Sequence, residues 1–160
     1  MHRSFVAEFA ARRPAIKHAW ERKLRLEAVT SPLANPDTLV LLMDRTLDDL
    51  HEALGNRCLA AIPPPARAMR TGCLCGLNPL LAYFRVAASV IPTVMSQGAD
   101  RCPALSASTY AACLQETLAV IQATAHEEIR SFCAMCQTEI AHGTRHAPAS
   151  TGQPFALTTR

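Results

Sequence analysis

Two cysteine pairs are the residues of this chain best suited to chemistry. Cys73 and Cys75 form a C-x-C pair, and Cys133 and Cys136 form a C-x2-C pair. On a helix, the second pair would face one side, at a spacing that lets two side chains share one ion. Four thiolates in a tetrahedral arrangement suit Zn²⁺ or an iron–sulfur cluster. The alternative is a set of buried, inert thiols, because free cysteine is among the most buried residue types.

Two helices have to bring these pairs together. Asn78 followed by Pro79 is a helix start signal, since Asn favours the N-cap and Pro the first helical position. This predicts an apolar helix from Pro79 to about Gln97 and a second helix that begins near Ser106. If the two pack antiparallel, residues whose numbers sum to about 203 lie level, which places Pro79 beside Thr124. The chain before Pro79 then brings all four cysteines within reach of one metal or cluster.

The stretch from Gly72 to Ala99 contains Arg85 as its single charge, and apolar residues occupy nearly every side of the predicted helix. This composition predicts the most buried helix of the bundle, without a solvated face. Arg85 and Pro92 argue against a membrane-spanning segment, so we expect no membrane partner.

The final helix is predicted to be the longest, with about 35 residues and a length of about 50 Å. It should end at Gly143, and the polar residues 143–160 should form a disordered tail. Because its apolar stripe outlasts the other helices, we expect a homodimer. The stripe consists of Tyr110, Leu114, Leu118, Ile121, Ala125, Ile129, Phe132, Cys136 and Ile140.

The first part of the chain predicts a helical hairpin. Pro14 interrupts the first apolar stripe, which suggests a short helix to about Ala11 and a longer one from Pro14 to Ala28. Asn35 starts one further helix, which Gly55 should end. Prolines 63–65 would then connect this hairpin to the second one. The two stripes are Phe5, Phe9, Ile16, Trp20 and Leu24, then Leu39, Met43, Leu47, Leu50 and Leu54.

Composition indicates an all-α helical bundle, either four-helix or globin-like, with residues 1–142 as a single domain. The chain is 49% hydrophobic but only 5% aromatic, and it has few runs of the residues that strands prefer. A net charge of +3 is too small to indicate a nucleic-acid partner. Residues 1–30 carry seven basic and three acidic groups, and residues 31–56 carry one basic and five acidic groups. Two neighbouring helices of opposite charge explain this segregation, and the acids at 44, 48 and 52 pair or face solvent.

The sequence favours a non-enzymatic protein. It has no recognisable nucleophile–base order or metalloprotease motif. No histidine lies between residues 52 and 125, where a globin would need its proximal ligand, so we expect no haem. The N-terminus lacks a secretion signal, which predicts a cytoplasmic protein. We therefore expect a sensory or regulatory module that responds through the cysteines, or alternatively a plain protein–protein interaction module with inert thiols.

The opening hairpin, with Trp20 in a basic amphipathic helix and Asn35-Pro36 starting the next, resembles the N-terminal helical domains of RsbR/RsbRD-type regulators of bacterial stress signalling. This resemblance covers roughly residues 5–140 in element order and implies a haem-free, globin-like, dimeric sensory domain. The chain differs from that family in its two cysteine pairs and in having no STAS-type output domain after the long helix. No functional residue can be transferred from the family.

Overall fold

The fold is all-α in the part of the chain that is described. The computed structural model describes residues 1–29, 34–57, 78–97 and 105–141, with only the backbone described for 136–141. Within these ranges the chain forms helices and no strand, which confirms the predicted helical bundle. The helices are α1 (Arg3–Leu24), α2 (Pro36–Val40), α3 (Met43–Arg57), α4 (Leu80–Ser96) and α5 (Ala107–Ala141).

The four longer helices form the corners of a bundle. Helix α1 packs against α3 and α4, and α5 packs against the same two helices from the opposite corner. Helices α1 and α3 run antiparallel, since Arg13 contacts Asp48 near the middle of both while Phe9 stacks on His51 further along. Helices α4 and α5 are also antiparallel, which confirms the two predicted hairpins.

Helix α4 is antiparallel to α1, since Trp20 donates to the carbonyl of Tyr83 and Arg12 to that of Val94. Helices α3 and α4 therefore run parallel to each other, because both are antiparallel to α1. The chain therefore leaves α3 at the end of the bundle where α1 begins, and it enters α4 at the end where α1 finishes. The connector with the three prolines, residues 63–65, lies outside the described residues, as do the predicted tail 143–160 and the C-cap Gly143.

Both predicted N-terminal stripes are buried in one apolar core. Trp20, Leu47 and Ile91 are completely inaccessible to solvent, and they come from three different helices. On α4, Phe84, Ala87 and Ile91 are buried and Leu80 is half-buried, as expected for the helix predicted to be most buried. A fully buried large apolar side chain contributes about 1.5–3 kcal/mol to folding, so this core is the main source of stability.

The polar groups inside the core are satisfied by two bonds between helices and one local bond. The Trp20 indole donates to the carbonyl of Tyr83 at 3.2 Å. The Tyr83 hydroxyl donates to Thr46 at 2.9 Å, and Thr46 donates in turn to the carbonyl of Leu42 at 3.0 Å. Burial raises the pKa of Tyr83, while its bond with Thr46 lowers it. The bonds of Trp20 and Tyr83 fix the rotation of one helix against another, because an unpaired buried donor would cost about 1–3 kcal/mol.

The predicted break at Pro14 is wrong, since α1 continues through it as one helix of 22 residues. Proline removes the N–H that would bond the carbonyl of Ala10. Both residues lie on the exposed side of α1, where water can satisfy that carbonyl. The buried residues before and after Pro14 pack on the same core, and this packing offsets the lost bond.

The predicted helix after Asn35 is divided in two. Asn35 caps α2 as expected, with its side chain accepting from the Asp37 N–H at 3.0 Å. The N–H groups of Leu41 and Leu42 then bond three residues back instead of four, which interrupts the α-helical pattern before α3. The predicted end at Gly55-Asn56 falls one residue short, because α3 continues to Arg57. A glycine costs about 1 kcal/mol in a helix and is tolerated in the last turn.

Helix α4 has a solvated face, which corrects the prediction that it has none. Arg85, Ser89 and Thr93 are exposed and follow one another at a spacing of four. The Thr93 hydroxyl donates to the carbonyl of Ser89 at 2.7 Å, Lys23 donates to the Ser89 hydroxyl at 2.7 Å, and Arg85 pairs with Glu27. Helix α5 is the longest of the described helices, with 35 residues, as predicted.

Candidate functional site

Asn78 joins the start of α4 to the last third of α5. Its side-chain oxygen accepts from the Leu80 N–H at 3.0 Å, which makes it the cap of α4 as predicted. Its side-chain amide donates to the carbonyl of Ile129 at 3.3 Å and to the Sγ of Cys133 at 3.5 Å. Asn78 itself is only 4% exposed. One buried amide therefore links helix capping, helix packing and a thiol.

This contact also sets the register of the hairpin. Asn78 lies beside Ile129, whereas the sequence placed Pro79 beside Thr124. The register therefore differs from the prediction by about one helical turn. In the observed register, Asn78 lies level with Ile129, about one helical turn before Cys133. The predicted register placed Cys133 about two turns from the start of α4, so Cys133 is closer to it than expected.

Of the four predicted metal ligands, only Cys133 has a described side chain. It is half-buried and forms no disulfide within the described part of the chain. Cys73 and Cys75 lie outside the described residues, as do Cys58 and Cys102, and the side chain of Cys136 is not among those described. Their convergence stays a prediction. In the ranges that are described, no group of three or more His, Cys, Asp or Glu residues could hold a metal ion.

Covalent reach limits how far the undescribed cysteines can lie from Cys133. Cys75 is three residues from Asn78 in the chain, so their Cα atoms lie within about 11 Å of each other along any path, and those of Cys73 and Asn78 lie within about 18 Å. Cys136 follows Cys133 by three residues along the backbone of α5. These bounds are compatible with a shared site at Asn78.

The other chemically capable groups of α5 divide into core and helix surface. Cys113, near the start of α5, is 4% exposed and belongs to the apolar core. His126 is half-buried, and its Nδ1 has no hydrogen-bond partner among the described atoms. His126 precedes Cys133 by two helical turns, about 10.5 Å along the axis. Such a separation does not by itself make a binding pair.

The charges predicted to pair between the first two long elements do so. Arg13 forms an ion pair with Asp48, and Lys17 contacts Asp44 at 2.5 Å. The hydrogen bond from Lys17 holds the pKa of Asp44 below its ordinary value, and the bond from Arg13 does the same for the pKa of Asp48. The acidic row of α3 is thus a partner of α1. We call these four residues the α1–α3 interface.

The outer surface of α5 is a feature that the sequence reasoning did not single out. Between Ser106 and Ala123, every exposed residue of this segment is uncharged, and Glu116 is half-buried. The signal was present in the sequence as 21 consecutive residues, from Leu105 to Ala125, with a single charge. We call the exposed residues the α5 outer face, which consists of Ser106, Ala107, Ser108, Thr109, Ala111, Ala112, Gln115, Gln122 and Ala123.

Comparison with known proteins adds no relative. No protein-family model, curated protein or solved structure matches this chain. The resemblance to RsbR-type domains therefore stays a prediction. In the described part of the chain, no helix combines the length and the apolar character that crossing a membrane requires.

Proposed function

We propose that this chain is a cytoplasmic regulatory module that responds to a metal ion or to redox state through cysteines at the start of α4. The observation that supports this function is the Asn78 amide, which contacts the Sγ of Cys133 while the same side chain caps α4. A chemical change at Cys133 would thus act directly on the residue that fixes where α4 begins and how it packs on α5.

The proposed ligands are Cys73, Cys75, Cys133 and Cys136. All four would bind as thiolates to one Zn²⁺ ion or to an iron–sulfur cluster. Zn²⁺ would bind the chain before Asn78 to the last turns of α5. An iron–sulfur cluster would form the same connection and would make it sensitive to oxygen or reductant.

Loss of the metal would release the chain before Asn78 from α5. The contact between Asn78 and Ile129 would remain, since it needs no cysteine. We therefore expect a local change at this end of the bundle and an intact apolar core. Such a change could be read by a protein partner without any catalytic step.

Metal analysis and the absorption spectrum of anaerobically purified protein test this proposal. We expect stoichiometric zinc, or iron with the visible absorption of a cluster. Cys133→Ala should lose the metal, because three thiolates leave the tetrahedral site incomplete. Cys113→Ala is the matched control, since Cys113 lies in the apolar core on the same helix, and it should retain the metal.

Two results would overturn the proposal. The first is wild-type protein without zinc, iron or visible absorption. The second is a Cys133→Ala variant that keeps the full metal content, since Cys133 would then not be a ligand.

A protein–protein interaction module with inert thiols is the second candidate function. The α5 outer face favours it, because burying uncharged side chains avoids the desolvation cost of charged groups. This candidate needs no metal, and it survives a negative result in the metal analysis.

A further inference from the structure

A regular stripe of residues runs along the outward side of α5 and shares Ala112 and Ala123 with the α5 outer face. Residues 112, 116, 119, 123, 126 and 130 follow one another at alternating spacings of four and three, the spacing of helix–helix contacts in coiled coils. They are Ala112, Glu116, Ala119, Ala123, His126 and Arg130. Ala112, Ala123 and Arg130 are exposed, and the others are half-buried. We call these six residues the α5 stripe.

The stripe is self-complementary in an antiparallel arrangement. Alanines occupy its centre, and small side chains let two helices approach closely, toward the short end of the usual 8–10 Å range. Glu116 and Arg130 lie seven positions to either side of Ala123. If Ala123 of one copy meets Ala123 of another, each Glu116 lies level with the Arg130 of the other copy. The stripe therefore places opposite charges together at both ends.

We infer that a second copy of this chain packs antiparallel on the α5 stripe, around a twofold axis at Ala123, with Glu116 and Arg130 paired between copies. This inference is independent of the cysteine site. It uses only residues of α5, which has no exposed charged side chain from Ser106 to Ala123.

The two charged residues keep bonding capacity for such a contact. Arg130 donates to Glu127 through a single guanidinium nitrogen, at 2.8 and 3.0 Å, and its side chain is 68% exposed. One carboxylate oxygen of Glu116 lies 3.1 Å from the amino group of Met1. The second carboxylate oxygen is not used in that contact, and a carboxylate can accept several hydrogen bonds.

The size of the stripe sets the strength of the dimer. From Ala112 to Arg130 it extends about 27 Å, and with a helix about 10 Å wide its footprint is about 270 Å² per copy. Standard interfaces bury about 800 Å² per partner. The dimer should therefore be weak, with a Kd in the micromolar range or above, and it must be measured up to high protein concentration.

Sedimentation equilibrium of the full chain, from micromolar to near-millimolar concentration, tests the inference. We expect the mass to rise from 17.3 kDa toward twice that value. Ala123→Glu should raise Kd by about 100-fold or more, because the twofold axis places the two new carboxylates side by side. The fold should be unaffected, since Ala123 is exposed and both residues are good helix formers.

Ala15→Glu is the matched control. Ala15 is an exposed alanine on α1, at the opposite corner of the bundle, and its replacement should leave the mass distribution unchanged. A charge exchange gives a second test that does not depend on Ala123. Arg130→Glu should weaken the dimer, and adding Glu116→Arg in the same chain should restore it.

The inference is overturned if the wild-type chain stays at 17.3 kDa over the whole range. It is also overturned if a dimer forms but Ala123→Glu leaves its Kd unchanged, or if the double exchange fails to restore what Arg130→Glu removes.

Discussion

The α1–α3 interface and the α5 outer face use charge in opposite ways. At the α1–α3 interface, Arg13 and Lys17 meet Asp44 and Asp48 within one chain. On the α5 outer face, no exposed residue carries a charge over nearly five helical turns. The first surface is satisfied inside the monomer. The second has no partner in the described monomer and is compatible with a partner from outside it.

The two kinds of surface also differ from the buried contacts in how much they contribute to the stability of the monomer. Breaking ion pairs exposes charges that water solvates well, so an exposed pair contributes little to stability. The apolar core and the Asn78 contacts behave differently, because their groups are removed from water. We therefore expect a change in the core to lower the free energy of unfolding most. A change at a helix cap should lower it less, and a change at the α1–α3 interface should lower it least.

The largest effect is expected in the core. Phe84→Ala should lower the free energy of unfolding by about 3–5 kcal/mol, through lost burial and the cavity left behind. Phe84 is 5% exposed, and the centroid of its ring lies 5.1 Å from that of the Tyr83 ring. Urea unfolding followed by circular dichroism measures this loss.

Arg85→Ala is the control for the core, since Arg85 is the next residue on α4 and its side chain is 69% exposed. Its ion pair with Glu27 should contribute at most about 1 kcal/mol. If Phe84→Ala and Arg85→Ala had equal effects, α4 would not be the buried helix described above.

The second effect compares two helix caps of the same residue type. Asn35→Ala should cost about 1 kcal/mol, because the Asn35 side chain accepts from the Asp37 N–H in an exposed turn. Asn78→Ala should cost about 2–3 kcal/mol, since it also removes a buried donor to the carbonyl of Ile129. Denaturant titration of both variants measures the difference. Equal losses would mean that the contact with α5 adds nothing to capping.

Most of the fold follows from local signals. The sequence predicted the apolar stripes of α1 and α3, because burial of one helix face requires apolar residues at helical spacing. It also predicted the capping residues Asn35 and Asn78, because capping favours particular residue types. The prediction of a break at Pro14 was wrong, because the packing of the buried residues before and after it outweighs the helix-breaking effect of proline. The division between α2 and α3 was not readable, since Leu41 and Leu42 are ordinary helix residues that are here exposed in a turn.

The candidate site was less predictable. Cys133 could be placed near the start of α4 because the hairpin register follows from helix geometry, although it was wrong by about one turn. That Asn78 would donate to Cys133 could not be inferred, since capping uses only the oxygen of the side chain. The α5 outer face was missed because the search concerned residues that carry chemistry, and its signal is the absence of charge.

The smallest effect is expected at the α1–α3 interface, where it appears as a pH dependence. The bond from Lys17 lowers the pKa of Asp44, and the bond from Arg13 lowers that of Asp48, relative to the ordinary value of 3.8. The unfolded chain therefore binds more protons in acid than the folded chain does. Their contribution to stability is present above about pH 4 and is lost as pH falls through the lowered pKa values. The double variant Asp44→Asn, Asp48→Asn should show a shallower fall in unfolding free energy from pH 5 to pH 3 than wild type, measured by urea titration at each pH. Because all four side chains are at least partly exposed, high salt should shrink the difference between the two proteins. A double variant with the full acid dependence of wild type would show that these ion pairs do not stabilise the folded chain.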